Sequence, residues 1–263
     1  MMRPLAEFPL EARRRVRFVL TDIDDTLTSD GRLGAAAYRA LERLGDSSRR
    51  VVAVTGRPAG WCDMIARFWP VDAVVGENGA FYFRYDHARR RMTRRYFLGE
   101  DERVQARARL DRLGAEILAA VPGAGLAADQ AYRIADLAID FREDCGPLPQ
   151  RDIDRIVALF EAAGATAKVS SIHVNGWFGA WDKLAMTRIL FREAYGLDLD
   201  AVKEAVIFIG DSPNDAPMFA HLPNAVAVAN IRPHLAHVAT PPTYVTGAEA
   251  GAGFVEFADA LLS

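Results

Sequence analysis

Two stretches near the ends of this chain share an alternation of short apolar strands with helices. The first stretch predicts strands over residues 16–20, 51–54 and 73–75, with helices over residues 35–44 and 60–68. The second stretch predicts a helix over residues 183–195, a strand over 205–209, a short helix after Pro217 and a strand over 225–228. Because strands that alternate with helices pair in a parallel sheet covered on both faces, the two stretches predict one α/β core.

The segment between these stretches has a different pattern. It predicts long helices over residues 100–120 and 152–163, each followed by a strand, over residues 134–141 and 167–174. Helices that alternate with neighbouring strands in this order are typical of an α+β unit of two similar halves with an antiparallel sheet. The sequence therefore predicts a core formed by residues 1–84 and 180–263, with a second domain inserted at residues 85–179.

Composition excludes several classes of protein. The chain has 263 residues, 51% of them hydrophobic, and a net charge of −3, which is too weak to favour nucleic acid or a membrane surface as a partner. Its apolar runs are shorter than the ~20 residues that span a bilayer. Cys62 and Cys145 lack the spacing of a metal site or a disulfide scaffold. We therefore expect a cytoplasmic protein, monomeric or homodimeric, that acts on a small molecule.

Acidic residues directly follow the first predicted strand. The apolar residues 16–20 lead into Asp22, Asp24 and Asp25. Because side chains alternate along an extended chain, Asp22 and Asp24 are expected on the same side, about 7 Å apart. Two carboxylates in that arrangement repel unless a cation lies between them, and oxygen ligands favour Mg²⁺ over thiolate-seeking metals.

Polar residues also follow other strands of the predicted core. Thr55, Gly56 and Arg57 come after the strand at 51–54, and a hydroxyl beside a glycine allows donors to approach one oxyanion closely. Lys183 begins a predicted helix, where its charge adds to the helix dipole in favour of a phosphate. A tight turn after the strand at 205–209 supplies further acids and an amide.

In this order, the motifs Asp22-x-Asp24-x-Thr26, Thr55-Gly56-Arg57, Lys183 and Gly210-Asp211-x-x-x-Asp215 resemble the four motifs of the haloacid dehalogenase-like (HAD) hydrolases. The turn at residues 77–80 and the place of the insert resemble subfamily IIB. This subfamily includes Cof-type phosphatases, sucrose-phosphate and mannosyl-3-phosphoglycerate phosphatases, and phosphomannomutase. The resemblance implies a Rossmann-like parallel-sheet core with an inserted α+β cap of the C2B type.

The resemblance also implies a role for each motif residue. Asp22 would be the nucleophile that forms an aspartyl-phosphate, and Asp24 the general acid and base. The phosphoryl oxygens would be held by Thr55, Gly56, Lys183 and Asn214. The ligands of Mg²⁺ would be the carboxylates of Asp22, Asp211 and Asp215 and the backbone carbonyl of Asp24.

Some residues are candidates for contact with the substrate. In the insert, His173 and Asn175 could donate to sugar hydroxyls, and Trp177 could stack on a sugar ring. Arg57 and Asn78 lie near the site by topology, although Arg57 could equally pair with a buried carboxylate.

The resemblance favours a Mg²⁺-dependent phosphatase that hydrolyses a sugar phosphate through an aspartyl-phosphate. A phosphosugar mutase is the alternative, since it shares the first half of this reaction. A mannosyl-3-phosphoglycerate or sucrose-phosphate phosphatase is a more specific form of the first prediction. A dehalogenase is disfavoured because that chemistry needs neither the second aspartate nor a metal.

Overall fold

A computed structural model describes residues 2–170 and 172–263, so that Met1 and Ser171 lie outside the described residues. The strands, in chain order, are β1 (Arg3–Pro4), β2 (Phe18–Thr21), β3 (Arg50–Val54), β4 (Ala73–Gly76), β5 (Phe81–Asp86), β6 (Arg91–Tyr96), β7 (Gly125–Leu126), β8 (Leu137–Asp140), β9 (Thr166–Val169), β10 (His173–Trp177), β11 (Val206–Gly210), β12 (Asn224–Ala227) and β13 (Tyr244–Val245).

The helices separate most of these strands. They are α1 (Leu10–Arg15), α2 (Ala35–Asp46), α3 (Ala59–Phe68), α4 (Glu100–Ala120), α5 (Gln150–Ala162), α6 (Lys183–Leu190), α7 (Leu199–Val202), α8 (Ala216–His221) and α9 (Ala250–Leu262). Across residues 2–170 and 172–263, none of the helices combines the length and the apolar character that crossing a membrane requires.

The larger sheet has nine strands in the order β1-β13-β12-β11-β2-β3-β4-β5-β6. In this spatial order, every pair of neighbouring strands from β1 as far as β4 is parallel. The β5–β6 hairpin adds two antiparallel strands at one edge. Alternate residues of β2 face opposite sides: Leu20 packs with residues of α6 and α8, and Val19 with residues of α2 and α9. The predicted α/β core with a mainly parallel sheet is therefore confirmed.

The smaller sheet contains β7, β8, β10 and β9 in that order, and every pair is antiparallel. Helices α4 and α5 cover it with an apolar layer that includes Leu110, Ile117 and Phe160. In α4 the buried Ala106, Leu110, Leu113 and Ile117 recur at intervals of three or four residues, which puts them on one helical face. The predicted α+β insert with an antiparallel sheet is confirmed.

Two strand predictions in the insert need correction. The single strand predicted over residues 167–174 is two strands, because the chain reverses after β9. Ser170 supports this reversal: its N–H donates to the carbonyl of His173 (2.8 Å) and its Oγ accepts from the N–H of His173 (3.0 Å). The strand predicted from residue 134 begins only at Leu137, because the N–H groups of residues 134–136 donate to a side chain of the core.

The sheet pairing also bears on the predicted domain boundary. Residue 85 lies inside β5, and both strands of the β5–β6 hairpin belong to the larger sheet. The change from one sheet to the other therefore falls after Tyr96, close to the start of α4 at Glu100. The division into two domains stays a prediction, and this pairing favours a boundary near residue 97. We call residues 97–179 the cap and the remainder the core.

Candidate active site

The residues of the four motifs meet at the carboxyl end of the parallel sheet, where ligands gather in folds of this type. Three of the motifs follow β2, β3 and β11, which are neighbours in the sheet, and the remaining one, Lys183, begins α6. A cleft at this edge lies between the core and the cap. It is lined by Asp22, Asp24, Gly56, Arg57, Asn78, Arg133, Ser170, Ile172, His173, Asn175, Asp211, Ser212 and Asn214.

Asp22 is the first residue after β2 and is 4% exposed. Its Oδ1 accepts the N–H of Ile23 (2.8 Å), and its Oδ2 accepts from Lys183 Nζ (3.0 Å). Burial raises the pKa of Asp22 to about 7, although the charge of Lys183 opposes this shift. The ammonium therefore holds one carboxylate oxygen in place at the cleft.

Lys183 is 1% exposed and lies between two carboxylates, 3.0 Å from Asp22 and 2.7 Å from Asp215. Burial alone would lower its pKa, but Asp215 and Asp22 outweigh burial and hold the pKa above its ordinary value. The side chain of Asp182 caps α6 by accepting from the N–H of Ala185 (2.7 Å). Gly79 allows this helix end to come close, because a Cβ there would lie 2.1 Å from the carbonyl oxygen of Asp182.

Three acidic side chains converge beside this lysine. Asp22, Asp211 and Asp215 are all buried and have oxygens within 4.8 Å of one another. Burial and the neighbouring charge of Asp22 raise the pKa of Asp211 well above its ordinary value. The hydroxyl of Thr26 donates to Asp211 (3.2 Å) and orients it. A convergent set of carboxylate oxygens that repel one another fits a hard divalent cation such as Mg²⁺.

The carboxylate of Asp24 has a different environment from the one predicted. Because β2 ends at Thr21, the expected alternation of Asp22 and Asp24 does not apply, and Asp25 has a positive φ of 52°. Asp24 accepts from the guanidinium of Arg57, at 3.0 Å from Nε and 2.7 Å from Nη2. Arg57 therefore balances the charge of Asp24, and a cation between the Asp22 and Asp24 carboxylates stays a prediction. The backbone carbonyl of Asp24 as a metal ligand also stays a prediction.

The predicted phosphate-binding residues fall into two groups. Gly56 and Asn214 line the cleft, whereas Thr55 and Lys183 lie behind its surface, 0% and 1% exposed. Thr55 Oγ1 accepts from the N–H of Arg57 (3.0 Å), so it shapes the loop after β3. Asn78 lines the cleft next to Gly56, whose Cβ position would lie 3.2 Å from Asn78 Oδ1.

The cap supplies the opposite wall from the start of β10 and the turn before it. His173 and Asn175 both line the cleft, as alternate residues of β10 should if one face of the strand points into it. Asn175 Nδ2 donates to Asp136 (3.0 Å). His173 Nε2 lies 2.9 Å from Glu143 Oε2, with angles outside those of a hydrogen bond. Burial lowers the pKa of His173 to about 4, so its ring is neutral at pH 7.

Trp177 does not reach the cleft, although it shares the alternation of His173 and Asn175. It is 1% exposed and stacks on Trp181, with ring centroids 6.0 Å apart and an interplanar angle of 17°. The expectation that it stacks on a sugar ring is wrong. The reason is that β10 ends at Trp177, where the chain returns to the core and an apolar cluster that includes Ile65 and Phe81 covers the indole.

One important residue of the cap wall, Arg133, was not predicted from the sequence. Arg133 has a side chain only 2% exposed, and it donates to the carbonyl of Gly56 (3.0 Å) and to Asp136 and Asp129. In the sequence it stands alone before an apolar strand pattern, like many surface arginines. Only the tertiary structure brings it to the loop after β3.

Comparison with protein families gives one match at the C-terminal end of the chain. The family of haloacid dehalogenase-like hydrolases matches over residues 193–257, which include the fourth motif. A comparison with curated proteins gives no match.

Solved structures are similar to nearly the whole chain. A protein from Thermoplasma acidophilum is 20% identical with a TM-score of 0.70, and the match covers 94% of this chain and 98% of that one. The sucrose-phosphatase of Synechocystis sp. PCC6803, solved with sucrose and phosphate, is 16% identical with a TM-score of 0.64, covering 93% and 97%. A sugar phosphatase of HAD subclass IIB is 12% identical with a TM-score of 0.60, covering 93% and 96%. The family match and the shared fold confirm the resemblance indicated by the four motifs.

Proposed function

Because this chain matches the haloacid dehalogenase-like hydrolases in its motifs, in part of its sequence and in its fold, we propose that it is a Mg²⁺-dependent phosphatase. It releases phosphate from a small sugar phosphate through an aspartyl-phosphate. The observation that carries this proposal is the placement of Asp22, in contact with Lys183 and beside two further carboxylates, at the mouth of a cleft shared with the cap.

In the first step, an oxygen of Asp22 attacks phosphorus and the bond from phosphorus to the leaving oxygen breaks. Because Lys183 holds Oδ2 at 3.0 Å and the N–H of Ile23 holds Oδ1 at 2.8 Å, the carboxylate is oriented before the substrate arrives. Positioning of this kind, together with charge neutralisation, accounts for most of the catalysis of phosphoryl transfer. Gly56 and Asn214 line the cleft, where the N–H of Gly56 and the amide of Asn214 would donate to the phosphoryl oxygens.

Asp24 transfers the protons. It enters the first step protonated and gives that proton to the leaving oxygen; the carboxylate that remains then takes a proton from the water that attacks phosphorus and releases Asp22, which returns Asp24 to its protonated form. The fork of Arg57 fixes both oxygens of Asp24 and stacks over Trp61, 4.6 Å from the ring centroid, so the carboxylate is held at the cleft edge.

Asp22, Asp211 and Asp215 would hold Mg²⁺, whose fit rests on their convergence within 4.8 Å. The ion would neutralise the phosphate and reduce its repulsion with the anionic nucleophile. Asp215 also accepts from the N–H of Asp211 (3.0 Å) and so stiffens the turn that carries this ligand.

The cap wall supports a neutral sugar as the leaving group. His173 is neutral at pH 7, since its pKa is lowered to about 4, and Asn175 and Ser170 are uncharged hydrogen-bonding groups. The guanidiniums of Arg57 and Arg133 are already paired with carboxylates of the protein. A leaving group with its own carboxylate, such as the mannosylglycerate that mannosyl-3-phosphoglycerate would release, would have to compete with these pairs, which favours sugar phosphates over mannosyl-3-phosphoglycerate.

The test is phosphate release from a panel of sugar phosphates, with Mg²⁺ and with chelator, for the native protein and Asp22→Asn. This change keeps the size of the side chain and removes the nucleophilic charge, so we expect release to fall at least about 1,000-fold. Asp25→Asn is the matched control, because it makes the same chemical change three residues along and asparagine tolerates its positive φ of 52°.

Metal-dependent release that is lost in Asp22→Asn and kept in Asp25→Asn supports the proposal. Isomerised sugar phosphate without free phosphate would instead support a mutase. Equal phosphate release from Asp22→Asn and Asp25→Asn would show that Asp22 is not the nucleophile.

A further inference from the structure

Glu77 is a wholly buried acid that the proposed reaction does not use. It follows β4, is 0% exposed and has a positive φ of 42°, and the next residue, Asn78, has a φ of 55°. Two successive residues with side chains in this region carry backbone strain, which persists only where other contacts compensate for it.

Those contacts join the core to the cap. In the core, Glu77 Oε1 accepts from the N–H of Ala59 at the start of α3 (3.0 Å). In the cap, its carboxylate accepts from three consecutive N–H groups, those of Ile134 (3.0 Å), Ala135 (2.6 Å) and Asp136 (3.1 Å). Burial raises the pKa of Glu77 to about 7, and in its ionised form the carboxylate accepts these hydrogen bonds about twice as strongly as a neutral acceptor would, so one side chain fixes a whole cap segment on the core.

The cap segment held by Glu77 carries two further contacts to the cleft. Arg133, next to it, donates to the carbonyl of Gly56 in the loop after β3 (3.0 Å). Asp136 accepts from Asn175, which lines the cleft (3.0 Å). A continuous set of contacts therefore runs from Glu77 to the loop that would hold the phosphate and to the wall that would face the sugar.

We infer that Glu77 is a positioning residue that anchors cap residues 133–136 on the core and so sets the distance between the sugar-facing wall and the phosphate-binding loop. This inference rests on the proposed phosphatase function, since it concerns recognition of the leaving group. Glu77 acts through Arg133 and Asp136, without contact with the substrate.

The glutamine variant separates anchoring from simple packing. Glu77→Gln keeps the size of the side chain but replaces one acceptor oxygen with an NH₂ group that would face N–H donors. Glu256→Gln is the matched control: Glu256 also accepts backbone N–H groups, from Gly247 (2.9 Å) and Ala248 (3.0 Å), on the core and away from the cleft.

Two readouts are measured on the native protein and both variants. The first is amide hydrogen exchange of residues 133–137, which we expect to be about 10-fold faster in Glu77→Gln and unchanged in Glu256→Gln. The second is the pair of constants KM and kcat for the best sugar phosphate of the panel and for p-nitrophenyl phosphate. We expect KM for the sugar phosphate to rise about 10-fold, with kcat and the KM for p-nitrophenyl phosphate within about 3-fold.

The outcomes separate this inference from the proposed function. If the native protein hydrolyses the sugar phosphate and Glu77→Gln leaves both exchange and KM unchanged, the anchoring role is overturned while the phosphatase stands. An equal loss of kcat on both substrates also overturns it, because it indicates general damage to the site. If the native protein hydrolyses no ester, the proposed function itself has failed.

A second variant covers the case in which Glu77→Gln does not fold. Arg133→Lys keeps the positive charge beside Asp129 and Asp136 but shortens the reach to the carbonyl of Gly56. The same selective rise in KM is expected from it, and an unchanged KM for the sugar phosphate contradicts the inference.

Discussion

The two walls of the cleft are built from different kinds of interaction. On the core side, charged groups are in direct contact: Lys183 lies 3.0 Å from Asp22 and 2.7 Å from Asp215, and all three are buried. On the cap side, the cleft-lining groups without an ionic partner in the protein carry no charge. One of them, Asn175, donates to Asp136 through its side-chain amide. With the proposed Mg²⁺ bound among its three carboxylates, the core wall would suit the charge of a phosphate, and the cap wall would suit hydroxyl groups.

The difference separates two tasks. Because charge interactions in a buried site are strong, the core wall of the proposed phosphatase would act on the phosphate group whatever the leaving group. Neutral hydrogen-bonding groups distinguish one leaving group from another by shape and by unsatisfied partners, so their loss affects some substrates more than others. Changes to the core wall should thus abolish activity, whereas changes at the junction and in the cap should have graded effects.

The largest effect is expected from the core wall, at Asp211. Asp211→Asn removes one charge from the three convergent carboxylates, and we expect phosphate release to fall about 1,000-fold. Addition of Mg²⁺ should raise the melting temperature of the native protein and not that of the variant, because a ligand stabilises only a folded state that binds it. Asp200→Asn, at an exposed position, is the control. If Mg²⁺ raises the melting temperature of Asp211→Asn as much as that of the native protein, Asp211 is not a ligand of the metal.

An intermediate effect is expected at Arg57, which lies where the two walls meet. Arg57→Lys keeps the charge but loses the fork that holds both oxygens of Asp24, and Asp129 of the cap lies 3.6 Å from the same guanidinium. Because Asp24 would then be misoriented as acid and base, we expect kcat to fall about 100-fold. Arg67→Lys, at the helical ion pair with Asp63, serves as the control. A kcat within about 3-fold of native would show that Arg57 does not orient Asp24.

The smallest effect is expected in the cap, at His173, and it concerns stability against pH. Its pKa of about 4 in the folded state is below the ordinary value of 6.5, so between these values the unfolded state binds more protons. Stability is therefore retained above pH 6.5 and lost as pH falls toward 4. This loss should amount to about 2 kcal/mol between pH 7 and pH 5, and His173→Gln should remove it.

Urea denaturation of the native protein and His173→Gln at pH 7 and pH 5 measures this difference. His234→Gln, at an exposed position, is the control for the loss of an imidazole as such. If His173→Gln and the native protein lose the same free energy of unfolding between the two pH values, the buried neutral histidine is not the cause.

The sequence predicted the core wall well because its information is local. An apolar strand followed within one or two residues by a polar group, as at Asp22, Thr55 and Asp211, puts that group at the carboxyl edge wherever the strand pairs. The helix over residues 100–120 was predicted with the bounds observed, because its apolar residues follow a single period over many turns.

The cap wall was predicted less completely because alternation along a strand does not reveal where the strand ends. His173, Asn175 and Trp177 share one alternation, yet the first two line the cleft and Trp177 packs on Trp181. The single strand predicted over residues 167–174 failed for the same reason, since the turn at Ser170 preserves the polar pattern on both sides.

The sequence by itself determined the α/β class, the antiparallel insert and the chemistry of the strand ends, because short-range patterns of polarity encode all three. Only the tertiary structure decided which groups far apart in the chain come into contact at the site. Arg57 meets Asp24, and Glu77 meets the N–H groups of residues 134–136, across separations of 33 and 57 or more residues. The physical reason is that ion pairs and buried hydrogen bonds between distant parts of the chain depend on distance in space, which no local pattern of residues specifies.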